Sequence, residues 1–395
     1  MKIDDKTSHN SPSLRFPEFT GEWERCVLGD VLEFSNTRIN SSELNSGNYV
    51  STENILQNFQ GIVKARSIPE DTNVMAFSCG NILLSNIRPY LKKVWKATFN
   101  GGCSSDVFVL QANSNIDADY LHYVVANDKF IGFVMNGAKG VKMPRGDKNQ
   151  MKTYSLSLPS IKEQRKISRF LSFLDERIAV QNRLIDRLQS LIKGIMVKLQ
   201  QQGLSKGTWK RVPLSSILKE RTELNEGLLP VYSVSVSQGV VNQMEYLGRS
   251  FAAKDTSKYH VAHFGDLIYT KSPTGSFPYG IVKQNSNRYK VAVSPLYGVY
   301  TPANYFTGVF LQEYFKSEVN TFNYLHSLIQ KGAKNTINIT NQRFLDNYIL
   351  IPTDSNDLQQ ISNLLLRLNA KKDLMQNMLQ QYQEQKQYLL RQMFI

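Results

Sequence analysis

The fold is decided by a heptad pattern in residues 167–199, ISRFLSFLDERIAVQNRLIDRLQSLIKGIMVKL. Apolar residues recur there at alternating intervals of four and three, and the same pattern returns 194 residues later in 361–393. A seam of this kind, sustained over several heptads, is typical of a coiled coil. The predicted seam residues are Ile167, Leu171, Leu174, Ile178, Ile185, Leu188, Ile192, Ile195, Leu199, Ile361, Leu365, Leu368, Met375, Leu379, Tyr382, Leu389 and Met393.

Two ordinary amphipathic helices, each packed on its own domain, are the alternative interpretation. A helix over 167–199 at 1.5 Å per residue is roughly 50 Å long, which is more than a domain of ~140 residues needs. We therefore expect two long helices that run antiparallel and cover each other's seams. The polar residues Gln181, Lys372 and Lys386 interrupt the seams, and such residues set register at a cost in stability.

A repeated phrase precedes each long helix. GEWERCVLGDVLE (21–33) returns as GTWKRVPLSSILK (207–219), with glycine, tryptophan, arginine and two leucines at identical spacing. Weaker repeats follow in the same order, and this order indicates an internal duplication. They are CGNILLSN (79–86) with FGDLIYTK (264–271), NGAKGVKM (136–143) with KGAKNTIN (331–338), and SLSLPSIKEQRKIS (155–168) with YILIPTDSNDLQQIS (348–362). The offset grows by about ten between the first two of these pairs, so the second copy has a longer variable region.

Each copy mixes short β-like runs such as VFVLQA (107–112) with segments of helical spacing such as 117–134. The sequence therefore predicts an α+β fold of two similar, strand-rich domains joined by two long antiparallel coiled-coil helices, with a pseudo-two-fold internal repeat. The predicted boundaries are a loose polar N-terminal arm at 1–20, a first domain at 21–158, a first spacer helix at 159–205, a second domain at 206–352 and a second spacer helix at 353–395.

The chain is strongly basic. Its formal charge is +14, with 26 basic and 20 acidic residues in 1–205 and 21 and 13 in 206–395. Because both halves are positive, a polyanion such as nucleic acid is the leading partner, against the alternative of a basic protein with no anionic ligand. Two basic domains on a spacer of roughly 50 Å suit one face of DNA, whose turn is about 34–36 Å. Since the copies differ in sequence, we expect two different half-sites.

Four basic stretches carry the candidate DNA contacts: 85–96, 136–152, 270–280 and 330–343. Glycine allows close approach to phosphate, lysine neutralises it, and polar side chains reach base edges. A charge run is also typical of an ordinary solvated face, but these recur at equivalent places in both copies. The candidates are Asn86, Arg88, Tyr90, Lys92, Lys93, Lys96, Lys139, Lys142, Arg145, Lys148, Lys271, Thr274, Ser276, Lys331, Lys334, Asn335 and Arg343.

No catalytic or metal-binding motif emerges from the sequence. GDLIYTKS (265–272) places Thr270 where a phosphate-binding loop requires glycine, so we interpret this segment as a strand. His260 and His263 are interpreted as strand histidines, with a metal site as the alternative, and the three cysteines follow no ligand or disulfide pattern. No stretch approaches 18 apolar residues. We expect a cytoplasmic, non-catalytic protein with no metal or cofactor of its own.

The sequence resembles the specificity subunit of Type I restriction–modification systems across residues 14–395. The resemblance rests on Phe16-Pro17-x-Phe19 leading into Gly21-x-Trp23, on Gly207-x-Trp209, and on Leu158-Pro159-x-x-x-Glu163-Gln164. Ser160 stands where the family commonly has a second proline. Gln359-Gln360 stands where the second copy would have Glu-Gln, which leaves the start of the second helix open.

The resemblance implies two target recognition domains, each reading one half of a bipartite, asymmetric DNA sequence. It implies a non-catalytic subunit whose helices space the domains and dock two modification subunits, which methylate adenine with S-adenosylmethionine. Restriction subunits that use ATP and Mg²⁺ complete such a complex. The alternatives are a stand-alone pseudo-dimeric DNA-binding regulator or architectural protein, and a coiled-coil scaffold that binds protein or RNA. The recognised bases do not follow from the sequence.

Overall fold

The computed structural model of the protein describes residues 11–249, 252–331 and 337–395. The chain forms two compact units, residues 1–181 with 378–395 and residues 182–377. Both limits fall inside a long helix, so each unit contains a part of both long helices. This division differs from the predicted one, which assigned each long helix to a spacer of its own. Over the described residues, no helix is long and apolar enough to cross a membrane.

The first unit is an α+β domain built on two four-stranded sheets. Its strands are β1 (Glu24–Val27), β2 (Leu32–Phe34), β3 (Arg38–Asn40), β4 (Tyr49–Val50), β5 (Asn73–Phe77), β6 (Ile82–Ser85), β7 (Val94–Lys96), β8 (Gly101–Cys103), β9 (Val107–Ala112) and β10 (Ser155–Leu158). Its helices are α1 (Leu28–Val31), α2 (Ala118–Val125), α3 (Asp128–Asn136), α4 (Lys148–Lys152) and the first part of α5 (Ile161–Ser205). The sheets are ordered β2-β9-β6-β7 and β3-β5-β8-β4, and β1 pairs with β10.

The second unit repeats this plan. Its strands are β11 (Trp209–Pro213), β12 (Leu218–Glu220), β13 (Val231–Ser235), β14 (Gly239–Asn242), β15 (His260–Ala262), β16 (Leu267–Tyr269), β17 (Val282–Gln284), β18 (Val291–Val293), β19 (Gly298–Pro302), β20 (Gln330–Lys331), β21 (Ile337–Asn338) and β22 (Tyr348–Pro352). Its helices are α6 (Gln243–Leu247), α7 (Tyr305–Phe315), α8 (Glu318–His326) and α9 (Asn341–Phe344), and α10 (Ser355–Met393) begins here.

The strand order shows the duplication directly. The sheet β12-β19-β16-β17 repeats β2-β9-β6-β7, and β11 pairs with β22 as β1 pairs with β10. In the other sheet, β15-β18-β13 repeats β5-β8-β4, including the parallel pairing of β13 with β18 and of β4 with β8. The predicted α+β fold of two similar domains is therefore confirmed. The connection between β16 and β17 is longer than that between β6 and β7, as the growing offset predicts.

The repeated glycine–tryptophan phrase forms the start of each core. In the first unit Trp23 is 2% exposed and packs in one cluster with Leu28 and Leu32. In the second unit Trp209 and Leu214 belong to the equivalent cluster. An indole fills a large volume at the point where the chain enters the domain, so the phrase acts structurally.

The two long helices pack antiparallel within each unit. In the first unit, Leu171 and Leu174 near the start of α5 share a core with Leu389 and Met393 near the end of α10. In the second unit, residues late in α5, such as Ile192, share a core with residues early in α10, such as Leu365. All the predicted seam residues are buried or half-buried. Within each unit the two seams therefore cover each other in antiparallel orientation, as their register predicts.

Lys386, one of the polar residues in the seam, has a carboxylate partner on α5. Its ammonium donates to Asp175 Oδ1 at 2.5 Å, and the hydroxyl of Tyr123 donates to the other oxygen of Asp175 at 2.8 Å. The neighbouring His122 is held neutral, because burial, with a smaller effect of the Lys386 charge, lowers its pKa to about 4. The charge that interrupts the apolar seam thus joins α10 to α5 and lies beside α2.

Residues 14–16, which precede the first domain, do not form the loose arm that the sequence predicts. Arg15 donates two hydrogen bonds to Glu163, at 2.7 and 2.8 Å, and Glu163 is 1% exposed. The ring of Phe16 meets the edge of Phe170 with centroids 5.7 Å apart. The expectation of a loose segment is wrong here because a buried carboxylate on α5 requires a cation.

The Glu163-Gln164 pair that carries part of the family resemblance has a structural purpose. Gln164 donates to the carbonyl of Pro159 at 2.9 Å and accepts from the amide of Asp117 at 2.8 Å. It therefore ties the start of α5 to the start of α2. In the second copy, where Gln359-Gln360 replaces the pair, α10 begins at Ser355.

Gly203 and Gly194 of α5 offer a matched test of this packing. A Cβ added at Gly203 would lie 2.0 Å from Cδ1 of Trp209, whereas one at Gly194 would meet nothing within 4 Å. Alanine favours a helix over glycine by roughly 1 kcal/mol. We expect Gly194→Ala to stabilise the protein by about 0.5–1 kcal/mol and Gly203→Ala to destabilise it by about 1–3 kcal/mol through overpacking. Urea unfolding measures both, and equal stabilisation by the two would contradict the packing.

Candidate nucleic-acid interface

Two of the predicted basic stretches of the first unit meet in space. The amide of Arg88 donates to the carbonyl of Pro144 at 2.8 Å, and the amide of Gly146 donates to the carbonyl of Asn86 at 3.1 Å. Lys139 and Arg145 exchange two backbone hydrogen bonds, which closes residues 139–145 into a hairpin. We call residues 86–93 and 139–147 the basic loop pair. Spacing along the chain does not predict that these particular stretches are in contact.

The turn in 86–93 is conformationally strained. Arg88 and Lys92 have φ of 51° and 54°, and they flank a 3₁₀ turn at Pro89–Leu91. Residues other than glycine adopt this left-handed region at a cost of order 1–3 kcal/mol, usually where the surroundings fix the chain. Here the hydrogen bond from Arg88 to the hairpin fixes it. Arg88 and Tyr90, which is 48% exposed, are left at the surface.

Four cations of this region have carboxylate partners. Lys92 pairs with Asp128 at 2.7 Å, Arg145 with Asp106 at 2.8 Å, Lys139 with Asp147 at 3.0 Å, and Lys96 with Asp119. Most of these acids come from other parts of the sequence, so the basic run at 85–96 is less positive in space than along the chain. Exposed pairs of this kind contribute about 0–1 kcal/mol, so a phosphate can replace the carboxylate.

Two other candidates serve the fold of the first unit. The ammonium of Lys93 donates to the carbonyl of Thr52 at 2.5 Å, and burial lowers its pKa. The ammonium of Lys148 lies 5.5 Å from the ring centre of Phe34 and 5.2 Å from that of Phe108. Both lysines therefore have interactions within the domain that do not require a ligand.

Arg88 and Lys142 are the candidates best placed to meet a polyanion. Both side chains are exposed, and neither forms an ion pair with any residue that the structure describes. Val141 and Met143 beside Lys142 are exposed as well, so the hairpin tip presents cationic and apolar groups together. This combination suits a nucleic-acid groove, where phosphates and base edges lie next to each other.

The second unit places its candidates differently. Lys271 has a φ of 62°, and burial lowers its pKa. Thr274 exchanges backbone hydrogen bonds with Phe277 in a tight turn, and Ser276 donates to Glu318 at 2.6 Å. Arg343 donates to the carbonyl of Leu328 at 2.9 Å, which is a structural contact. Lys334, Asn335 and the side chain of Lys331 lie outside the part of the chain that the structure describes.

One cluster of the second unit was missed by the sequence reasoning. Tyr279 shares a hydrogen bond with Nδ1 of His326 at 3.1 Å, and Phe322 stacks on His326 with centroids 5.0 Å apart. The cluster attaches the 270–281 loop to α8. Tyr279 and His326 are 47 residues apart in the chain. The aromatic residues of SFPYG are therefore the only local signal for this cluster.

The two strand histidines have partners within the domain. Nδ1 of His260 lies 2.9 Å from the carbonyl oxygen of Tyr297, and Nε2 of His263 lies 2.5 Å from Glu223 Oε2. Among the described residues, no group of three or more histidine, cysteine or acidic side chains is arranged to hold a metal ion. These contacts fit histidines that stabilise the strand ends.

Comparison with known proteins shows what the first part of the chain is similar to. Residues 20–190 match the family model described as the Type I restriction modification DNA specificity domain. This part of the chain is similar to domains of that family. The resemblance found in the sequence is thereby confirmed for this part of the chain.

Related proteins agree with this assignment. The chain is 29% identical over 126 residues to the Type I restriction enzyme EcoDI specificity subunit of Escherichia coli, which covers 31% of this chain and 28% of that protein. It is 26% identical over 249 residues to the MjaVIII specificity subunit of Methanocaldococcus jannaschii, covering 58% and 55%. The matched regions thus span about half or less of these relatives.

A solved structure supports the fold over the whole chain. The S subunit of a Type I restriction-modification system from M. genitalium aligns with 98% of this chain and 99% of its own, with a TM-score of 0.63 and 13% identity. At this identity the likeness shows the fold. It extends the two-unit organisation beyond the residues matched by the family model.

Arg88→Ala and Lys142→Ala should each weaken binding of duplex DNA roughly three- to ten-fold. Each lost phosphate contact should also reduce the slope of log K against log[salt] by about 0.9. Fluorescence anisotropy at several salt concentrations measures both quantities. Lys162→Ala, which removes an exposed lysine from α5, is the matched control and should leave the slope unchanged. If all three variants behave alike, the basic loop pair is not the binding surface.

Proposed function

We propose that this protein is the DNA-recognition subunit of a Type I restriction–modification complex. The specificity domain at residues 20–190 is the single observation that carries the proposal. The same strand order recurs in the second unit, so each unit would read one half of a bipartite target. Because the loops of the two units differ in length and side chains, the two halves would differ in sequence.

The partners follow from the same proposal. Two modification subunits would bind the long helices, and restriction subunits would complete the cytoplasmic complex. S-adenosylmethionine, ATP and Mg²⁺ would act on those partners, which would supply adenine methylation and ATP-dependent cleavage. This chain would supply the choice of sequence and no catalytic group.

Co-expression with the cognate modification subunits tests the function. We expect N6-methyladenine in the host genome at one bipartite, asymmetric motif, mapped by sequencing methods that detect the modified base. A modification subunit with an inactivated catalytic site is the control and should leave the genome unmodified. Replacing residues 21–158 by the corresponding domain of a relative should change one half of the motif only. Methylation at a continuous motif, or at none, would contradict the proposal.

An apolar stripe on α5 supports the proposed docking of modification subunits. In the first unit Phe170, Phe173 and Val180 lie on α5 at intervals of three and seven residues, and Phe173 is 51% exposed. With Tyr382 of α10 they line an open groove of about 660 Å³. An exposed apolar surface of this kind usually marks a protein interface. The stripe lies on a different face of α5 from the seam that is buried in the unit.

Phe173→Asp should remove this interface. A carboxylate in an apolar interface loses its hydration, so we expect recovery of the modification subunits in co-purification to fall at least about ten-fold. The melting temperature of the isolated chain should not change, because the side chain is half-exposed. Ala179→Asp adds the same charge at an exposed position of the same helix and should leave co-purification intact. Equal recovery for both variants would place the docking surface elsewhere.

A further inference from the structure

A cleft of about 230 Å³ opens at the edge of the sheet β3-β5-β8-β4. Its floor is formed by Tyr49 and Val74, which are buried, and its rim by Arg38, Asn73 and Ser105, which are exposed. A guanidinium, an amide and a hydroxyl therefore stand around an apolar floor. These groups include donors and acceptors that can meet the edge of a base.

The cleft adjoins the basic loop pair. The turn between β8 and β9 places Ser105 on the cleft and Asp106 on the loop pair, where its carboxylate accepts from Arg145 at 2.8 Å. The carbonyl of Asp106 also accepts from the amide of Asn86 at 2.8 Å. The consecutive residues Ser105 and Asp106 therefore place the cleft directly beside the loop pair.

Arg38 is the cation of this cleft. It is the first residue of β3, and its backbone pairs with Met75 of β5. Its exposed guanidinium has no ion pair or hydrogen bond among the residues that the structure describes. The guanidinium is planar and presents five donors in a fixed arrangement, so it recognises a paired set of acceptors better than an ammonium does.

Strand register identifies the equivalent place in the second unit. Arg38 pairs with Met75, which pairs with Cys103. In the second unit Leu224 forms a bridge with His260, which pairs with Val293. Leu224 therefore occupies the place of Arg38.

Two neighbouring positions also lose a hydroxyl group in the second unit. Val231 occupies the place of Tyr49, because Tyr49 pairs with Gly102 and Val231 with Ala292. Pro295, two residues beyond Val293 as Ser105 is two beyond Cys103, occupies the place of Ser105. The position of Arg38 is thus cationic in the first unit and apolar in the second, while Lys258 occupies the place of Asn73.

We propose that the cleft at Arg38 is a base-reading pocket of the first unit, in which Arg38 selects one base pair of its half-site. This inference rests on the proposed function. A phosphate contact would be useful to both units, since every half-site has the same backbone, whereas a contact that changes from arginine to leucine suits a base that differs between the half-sites. Arginine recognises guanine through O6 and N7, and an apolar side chain suits the methyl group of thymine.

A selection experiment tests the pocket. The full chain, assembled with its modification subunits, is incubated with a pool of duplex oligonucleotides of random sequence, and the bound fraction is sequenced. The wild type should enrich one bipartite motif. Arg38→Ala should reduce the preference at one base pair of one half-site at least about ten-fold and leave the other half unchanged. Arg38→Lys keeps the charge and should lose the same preference, because it lacks the planar fork.

The control is Arg25→Ala, which removes an exposed arginine from β1 in the other part of the unit and should not alter the motif. If Arg38→Ala weakens binding equally for all sequences, Arg38 contacts phosphate and the pocket is refuted. An unchanged motif would refute it too. If the wild type enriches no bipartite motif, the proposed function falls and the pocket falls with it, so the two failures are distinguishable.

Discussion

The apolar seam of each long helix has to be covered along its length, and the rest of each unit is arranged around this requirement. In the first unit the start of α5 is covered by the end of α10, and in the second unit the end of α5 is covered by the start of α10. The seams are continuous with the domain cores, since Leu171 clusters with Tyr120 and Leu365 with Phe310. Burial of each such side chain contributes about 1.5–3 kcal/mol. Within each unit, helix pairing and domain folding therefore depend on the same buried side chains.

Polar groups at the seams make the two copies distinguishable. The first unit uses Lys386 and Tyr123 around Asp175. At the corresponding junction of α7 with α10 in the second unit, Lys316 pairs with Glu313 and donates to Asn369 at 3.2 Å. Because Asp175 and Lys316 are partly exposed to water, these pairs contribute less stability than fully buried pairs. A shift of α10 by one heptad would separate Lys386 from Asp175 and Asn369 from Lys316, so the polar groups specify register while the apolar residues supply stability.

Local patterns in the sequence were sufficient for the helices and the duplication, because a heptad and a repeated phrase are complete within a short segment. Features that depend on strand pairing were not predictable in this way. Spacing alone gave no sign that Lys92 would meet Asp128 or that Arg145 would meet Asp106, since tertiary structure creates those pairs. Arg38 was missed for the same reason: it is the only basic residue in NTRIN, and its cleft is completed by Asn73 of β5 and by Ser105 of the turn between β8 and β9.

The comparison of the units separates the residues that maintain the fold from those that can change. Positions that face the cores keep their character, as Trp23 and Trp209 do, because a void or an overlap there costs several kcal/mol. Positions on the rim of the sheets differ, as Arg38 and Leu224 do, and both are exposed. Exposed substitutions usually change stability by less than about 0.5 kcal/mol. New chemistry can therefore arise at the rim of either unit without loss of the core, so a duplicated domain can present two different surfaces on one fold.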